Sequence, residues 1–118
     1  MNVRLVSIEN DGIVRLAANG AMTASEMAGD DKHPLAGVIG ESWSSNRVVL
    51  GLNETEYVDS TAIGWLLSCQ KQFNNDGGKF ALHSIPPSVQ QIFDLLKVDR
   101  VLNLAKDENE ALQIVRGE

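Results

Sequence analysis

Two short apolar runs open the chain. Val3-Arg4-Leu5-Val6-Ser7-Ile8 and Ile13-Val14-Arg15-Leu16-Ala17 are rich in strand-forming residues and are separated by Asn10-Asp11-Gly12. Asp-Gly tolerates the positive φ of a tight turn, so the pattern predicts a β-hairpin, with Asn19-Gly20 as a second turn closing it. Residues 21–46 carry the weakest periodicity. A helical start over 23–27 meets the polar break Gly29-Asp30-Asp31-Lys32-His33. Pro34 then suits the first turn of a second helix over 34–44, carrying Leu35, Val38, Ile39 and Trp43.

The second half alternates strand-like and helix-like patterns. Arg47-Val48-Val49-Leu50-Gly51-Leu52 is a short continuous apolar run, as expected of a strand covered on both faces. A loop is expected over 53–57, followed by a helix running from Asp59-Ser60 to Phe73. On that helix Ala62, Leu66, Cys69 and Phe73 form one stripe with Ile63 at its edge, while Gly64, Ser68 and Lys71 face away. Asn75-Asp76-Gly77-Gly78 supplies a glycine for a left-handed cap. Lys79-Phe80-Ala81-Leu82-His83 reads as another strand. Pro86-Pro87 opens a helix whose Val89, Ile92, Phe93 and Leu96 recur at core spacing. Residues 101–104 read as a last short strand. Asp107 with Glu110 resembles a capping box for a final helix bearing Ala111, Leu112, Ile114 and Val115. The order β-β-α-β-α-β-α-(β)-α predicts an α/β fold. One domain is expected over residues 1–118, with a mixed sheet made of the antiparallel N-terminal hairpin plus parallel strands, and about four helices packed on it.

Composition narrows the function classes. Ten Lys and Arg against 16 Asp and Glu give a net charge of −6, and the basic residues are scattered singly. No basic stripe exists to follow a phosphate backbone, which argues against nucleic acid as partner. The single cysteine, Cys69, allows neither an internal disulfide nor a thiolate zinc site, as expected of a cytoplasmic, reducing setting. The Met1-Asn2-Val3-Arg4-Leu5 start has no apolar signal core, and no run of apolar residues is long enough to span a bilayer, so neither secretion nor membrane insertion is expected.

Catalytic signatures are absent: there is no P-loop, dinucleotide fingerprint, nucleophile elbow or H-E-x-x-H. His33 and His83 lie far apart without partners at metal-ligand spacing and read as structural or solvated. Cys69 lies on the core stripe, where it behaves as a small apolar group. Asn53-Glu54-Thr55 is formally a glycosylation sequon, which without a signal peptide carries no weight. Glu54, Glu56 and Asp59 read as solvated carboxylates plus a helix cap rather than as an acid–base pair. Asp59-Ser60-Thr61-Ala62-Ile63-Gly64 delivers two hydroxyls to a helix N-terminus. Asp59 or Ser60 serves as cap, which is a sufficient structural reason for both.

Tyr57-Val58-Asp59-Ser60-Thr61-Ala62-Ile63-Gly64-Trp65-Leu66-Leu67 resembles the D-S-[ST]-G-[LIV]-G segment of STAS domains, the fold of bacterial anti-sigma factor antagonists. The strand before it, Gly77-Gly78-Lys79-Phe80, Pro86-Pro87-Ser88-Val89 with Phe93-Asp94-Leu95-Leu96, and the acidic stretch before Ala111 match further family features in order. The resemblance covers nearly the whole chain. It implies a non-enzymatic binding module without cofactor, in which Thr61 stands at the phosphorylated position, with Ser60 the runner-up and Asp59 the acidic neighbour. It implies Asp59, Ser60, Thr61, Ala62, Gly64 and Trp65 as the partner-binding set. The implied partners are an anti-sigma factor with serine-kinase activity and a reversing phosphatase, which together form a partner switch. Two departures stand out: Ala62 replaces the glycine after the phosphorylated position, and Gly51-Leu52-Asn53 replaces the common D-L-S strand end. Trp65 is either an interface residue or half-buried packing. The alternative readings are a STAS subunit of a larger assembly, such as a lipid-transport ABC complex, and a small-ligand or nucleotide-handling domain.

Overall fold

The computed structural model describes residues 2–23 and 34–117. Of the expected helical start over 23–27 all but Thr23, together with the polar break and His33, lies outside the described residues. Four strands form one sheet in the order β1-β2-β3-β4: β1 Asn2–Ile8, β2 Val14–Met22, β3 Arg47–Val58 and β4 Lys79–His83. β1 and β2 pair antiparallel, with Leu5 opposite Leu16, and the pairs β2–β3 and β3–β4 are parallel. The mixed sheet is as expected. The helices are α1 Pro34–Ile39, α2 Ser60–Asp76, α3 Pro87–Leu96 and α4 Glu108–Arg116. Gly12 supplies the positive φ of the β1–β2 turn.

Four expectations about element limits are corrected. Asn19-Gly20 does not end β2, which runs on to Met22. Gly20 adopts a positive φ between two register shifts against β3, so the glycine makes a bulge instead of a turn. Residues 53–57 are not a loop but the second half of β3, paired with Asn19 to Met22 of the prolonged β2. The helix expected over 34–44 stops at Ile39, where Gly40 takes a left-handed conformation, and a separate 3-10 turn spans Trp43–Ser45. The last strand shrinks to a single bridge, Leu82 to Leu104.

The sheet carries a core on each face. On one face Leu16, Val48, Leu50, Leu52, Phe80 and Leu82 meet the helices that bring Leu35, Leu66, Phe73 and Phe93. Phe73 stacks on Phe80 with ring centres 4.7 Å apart, and Trp43 meets Phe73 edge-on at 5.3 Å. The other face is smaller, built from Ile13, Val49, Ala81, Ala105, Ala111 and Val115, and is covered by α4. Gly78 packs so closely that a Cβ would lie 2.3 Å from the Ser44 carbonyl oxygen. α2 has the expected buried stripe, Ala62, Ile63, Leu66, Cys69 and Phe73, and Gly77 caps it in the left-handed region. Leu96, expected in the α3 stripe, is half exposed, because the helix ends there and Lys97 turns the chain with φ +55°.

Candidate functional site at the start of α2

The site is the junction between β3 and α2. Asp59 holds extended backbone angles, and its Oδ1 accepts the Ala62 N–H at 2.9 Å, so the side chain caps one of the four otherwise unpaired donors of the helix. The Asp59 N–H donates to the Met22 carbonyl at 3.0 Å, tying the junction to the end of β2. The Asp59 carbonyl accepts the Ile63 N–H at 3.1 Å, which starts the helical ladder. The cap is therefore fixed from both sides. It presents Ser60 and Thr61, both exposed, as the first two helical residues.

The remaining residues of the expected set divide. Gly64 is exposed one turn beyond Thr61, and a Cβ there would meet nothing within 4 Å, so packing inside the domain does not require the glycine. Trp65 is half-buried and packed against the larger core. Ala62 is fully buried, so its methyl is core rather than surface. The alanine that departs from the family pattern thus takes no room from the exposed face.

Glu54 and Glu56 stand exposed on β3, not in a loop, and Glu54 pairs with Arg4 at 3.5 Å. Tyr57 is the one aromatic among the large apolar side chains exposed in the described residues, at 55 %, and lies just before the Asp59 cap. The sequence reading missed Tyr57 because it took this segment for loop. No clean strand signal was available: Thr55 is buried between exposed Glu54 and Glu56, but the register shift at Glu56 leaves Glu56 and Tyr57 both exposed before buried Val58, which breaks the two-residue alternation.

The groups set aside in the sequence are built into the frame. Burial pushes the Cys69 thiol up to about 12, where it stays protonated. His83 ends β4, is buried, and lies with Nδ1 2.9 Å from the Ser84 hydroxyl. Burial holds its pKa below the ordinary histidine value. Its ring occupies the space that Gly51 leaves: a Cβ on Gly51 would lie 2.8 Å from His83 Cε1. The departure Gly51 is thereby explained: it lies inside β3 opposite His83, and the imidazole from β4 fills the space a side chain there would take. Among the described residues no cluster of three or more His, Cys, Asp or Glu is placed to hold a metal ion, and no helix is long and apolar enough to cross a membrane.

The STAS domain family profile matches residues 4–111. The chain belongs to the STAS domain family. A Thermotoga maritima protein provisionally described as an anti-sigma factor antagonist is 31% identical over 71 residues, 60% of this chain and 63% of that protein. This STAS domain thus matches less than two thirds of the length of that relative. A crystal structure of a Thermotoga maritima protein with the same provisional description superposes with a TM-score of 0.78 at 26% identity, covering 93% of this chain and 92% of that one. The phosphorylated form of the Bacillus cell fate determinant SpoIIAA shares the fold, with a TM-score of 0.61 at 15% identity, covering 97% and 99% of the two chains. The mixed sheet, with β1 and β2 antiparallel and the remaining pairs parallel, is that of the STAS fold.

Proposed function

We propose that this STAS domain is a non-catalytic regulatory module that binds an anti-sigma factor through the start of α2 and is released from it by phosphorylation of Thr61. The observation that carries this reading is the exposed Thr61 hydroxyl on the first turn of a helix whose cap, Asp59, is held by backbone on both sides. A phosphate there adds about −1.5 to −2 charges. The helix N-terminus accommodates part of that charge, by about 0.3–1 kcal/mol, so the domain itself has little reason to rearrange. The cost falls on the partner. A surface fitted to a small hydroxyl meets a bulky dianion close to the Asp59 carboxylate, and each 1.4 kcal/mol or so of lost complementarity lowers affinity about tenfold.

In this reading the kinase is the anti-sigma factor itself and a phosphatase reverses the mark. Asp59 positions the site, Ser60, Thr61 and Gly64 form the contact face, and Ala62 belongs to the core. That the Bacillus SpoIIAA fold exists in a phosphorylated form supports the mechanism by analogy of fold. The test is capture of partners from lysate of the source cells by wild type, Thr61→Ala and Thr61→Glu. The reading expects a protein with a kinase-type ATP site to be held by the first two and lost by the third. Equal capture of transport subunits by all three would replace it with the assembly-subunit reading.

A further inference from the structure

We propose that α4 is an electrostatically latched strap, opening from the sheet as a unit while the face covered by α1, α2 and α3 stays folded. The two cores differ in what holds them. The larger contains Phe73, Phe80 and Phe93, fully buried, and continues through leucines and valines from both sheet and helices. The core under α4 contains no aromatic side chain, and three of its six buried residues are alanines. Apolar burial scales with the area removed from water. Here Ala81, Ala105 and Ala111 stand beside Ile13, Val49 and Val115, with Leu112 and Ile114 packed against them, so this face holds its helix through less apolar area per buried residue than the phenylalanine core.

Ion pairs supply what that face lacks, one at each end of the helix. At its start Glu108 meets Arg15 of β2 at 2.5 Å, and Glu9 lies 3.9 Å from the same guanidinium. At its end Arg116 donates from Nε to Asp11, in the β1–β2 turn, at 2.8 Å, across 105 residues of sequence. Both latches join the helix to the N-terminal hairpin, and both are partly exposed, so salt screens them.

The helix needs no partner for its own ends. Asp107 Oδ1 accepts the Glu110 N–H at 2.9 Å, and Gly117, left-handed at φ +83°, donates to the Gln113 and Ile114 carbonyls. The chain before it is pinned to β4, since the Ala105 N–H donates to the Leu82 carbonyl and the Asn103 side chain to the Phe80 carbonyl, each at 2.8 Å. The Lys106 N–H donates to Glu110 Oε1 at 3.4 Å, so Lys106 and Asp107 belong to the helix cap and the natural hinge is the link between Ala105 and Lys106. Unlatching lifts α4 off Val49 and Ala81 without touching the phenylalanine core.

Hydrogen exchange followed by mass spectrometry on the full chain tests this at two salt concentrations. Between about 0.1 M and 1 M the screening length shrinks from roughly 10 Å to 3 Å. Amides of 108–117 are expected to exchange about three- to tenfold faster at high salt, as the loss of two partly exposed ion pairs implies, with 60–76 unchanged. Arg15→Gln/Arg116→Gln is expected to exchange fast in this segment at low salt and to lose the salt response. The charge swap Asp11→Arg/Arg116→Asp is expected to restore protection at the far latch, and it serves as the test where the double variant does not fold. Exchange of 108–117 at the same rate as 60–76 under both conditions overturns the proposal. So does a segment that is fast but indifferent to salt and to the charge swap.

Discussion

Replacing Gly64 with alanine separates what the domain needs from what its partner needs. Gly64 is the fifth residue of a 17-residue helix, where glycine costs about 1 kcal/mol relative to alanine through lost backbone entropy. An added Cβ meets nothing within 4 Å, and φ lies outside the left-handed region, so no steric cost offsets the gain. The variant is therefore expected to be more stable by about 0.5–1 kcal/mol, which in a chain of this size raises the melting temperature by roughly 2–6 °C. Thermal unfolding by circular dichroism measures that arm. The second arm is partner capture. If the bare glycine one turn past Thr61 is the ground on which the partner's backbone rests, one methyl there costs about 1–3 kcal/mol of fit, about fivefold or more in affinity. A lower melting temperature refutes the packing argument. A higher one with undiminished capture of the same partner removes Gly64 from the contact face.

Asp59→Ala deletes the cap on the Ala62 N–H and is expected to cost about 1 kcal/mol in urea unfolding, with the m-value unchanged. Gly78→Ala puts a Cβ against two backbone carbonyls, of Ser44 and Asn46, that have no side-chain freedom with which to retreat. It is expected to cost about 3 kcal/mol or more and to yield little folded protein on expression. His83 is held neutral by burial, so below its ordinary value of 6.5 the unfolded chain binds a proton that the folded chain resists. Its contribution is complete at about pH 7.5 and is lost as pH falls below about 6.5, and the slope of stability against pH in that window should flatten in His83→Gln. Cys69, buried with its thiol raised to about 12, should resist iodoacetamide in the native protein at about pH 8 and react on unfolding.

What was legible in the sequence was what local chemistry decides. α2 could be read from its stripe, its Asp59 cap and its Gly77 stop because each of these acts within one or two turns of the chain. The same holds for Pro87 at the start of α3, where a missing N–H costs nothing, and for Asp107 with Glu110 on α4. The misreadings cluster where a residue's role is settled by a strand distant in sequence. Asn19-Gly20 has the composition of a turn, and it becomes a bulge only because β3 runs beside it for its full length. Residues 53–57 are polar enough to read as loop, and they are extended because the prolonged β2 offers them hydrogen-bond partners. These two errors are one physical fact seen from both strands: each prolongation stabilises the other, and neither segment carries the pattern alone. The candidate site sits at the end of that mutual extension, where Asp59 donates its N–H to Met22, the last residue of β2. The hydroxyl pair was therefore readable from the motif. Its fixed presentation, and the exposure of Tyr57 beside it, depended on a pairing that only the folded chain reveals.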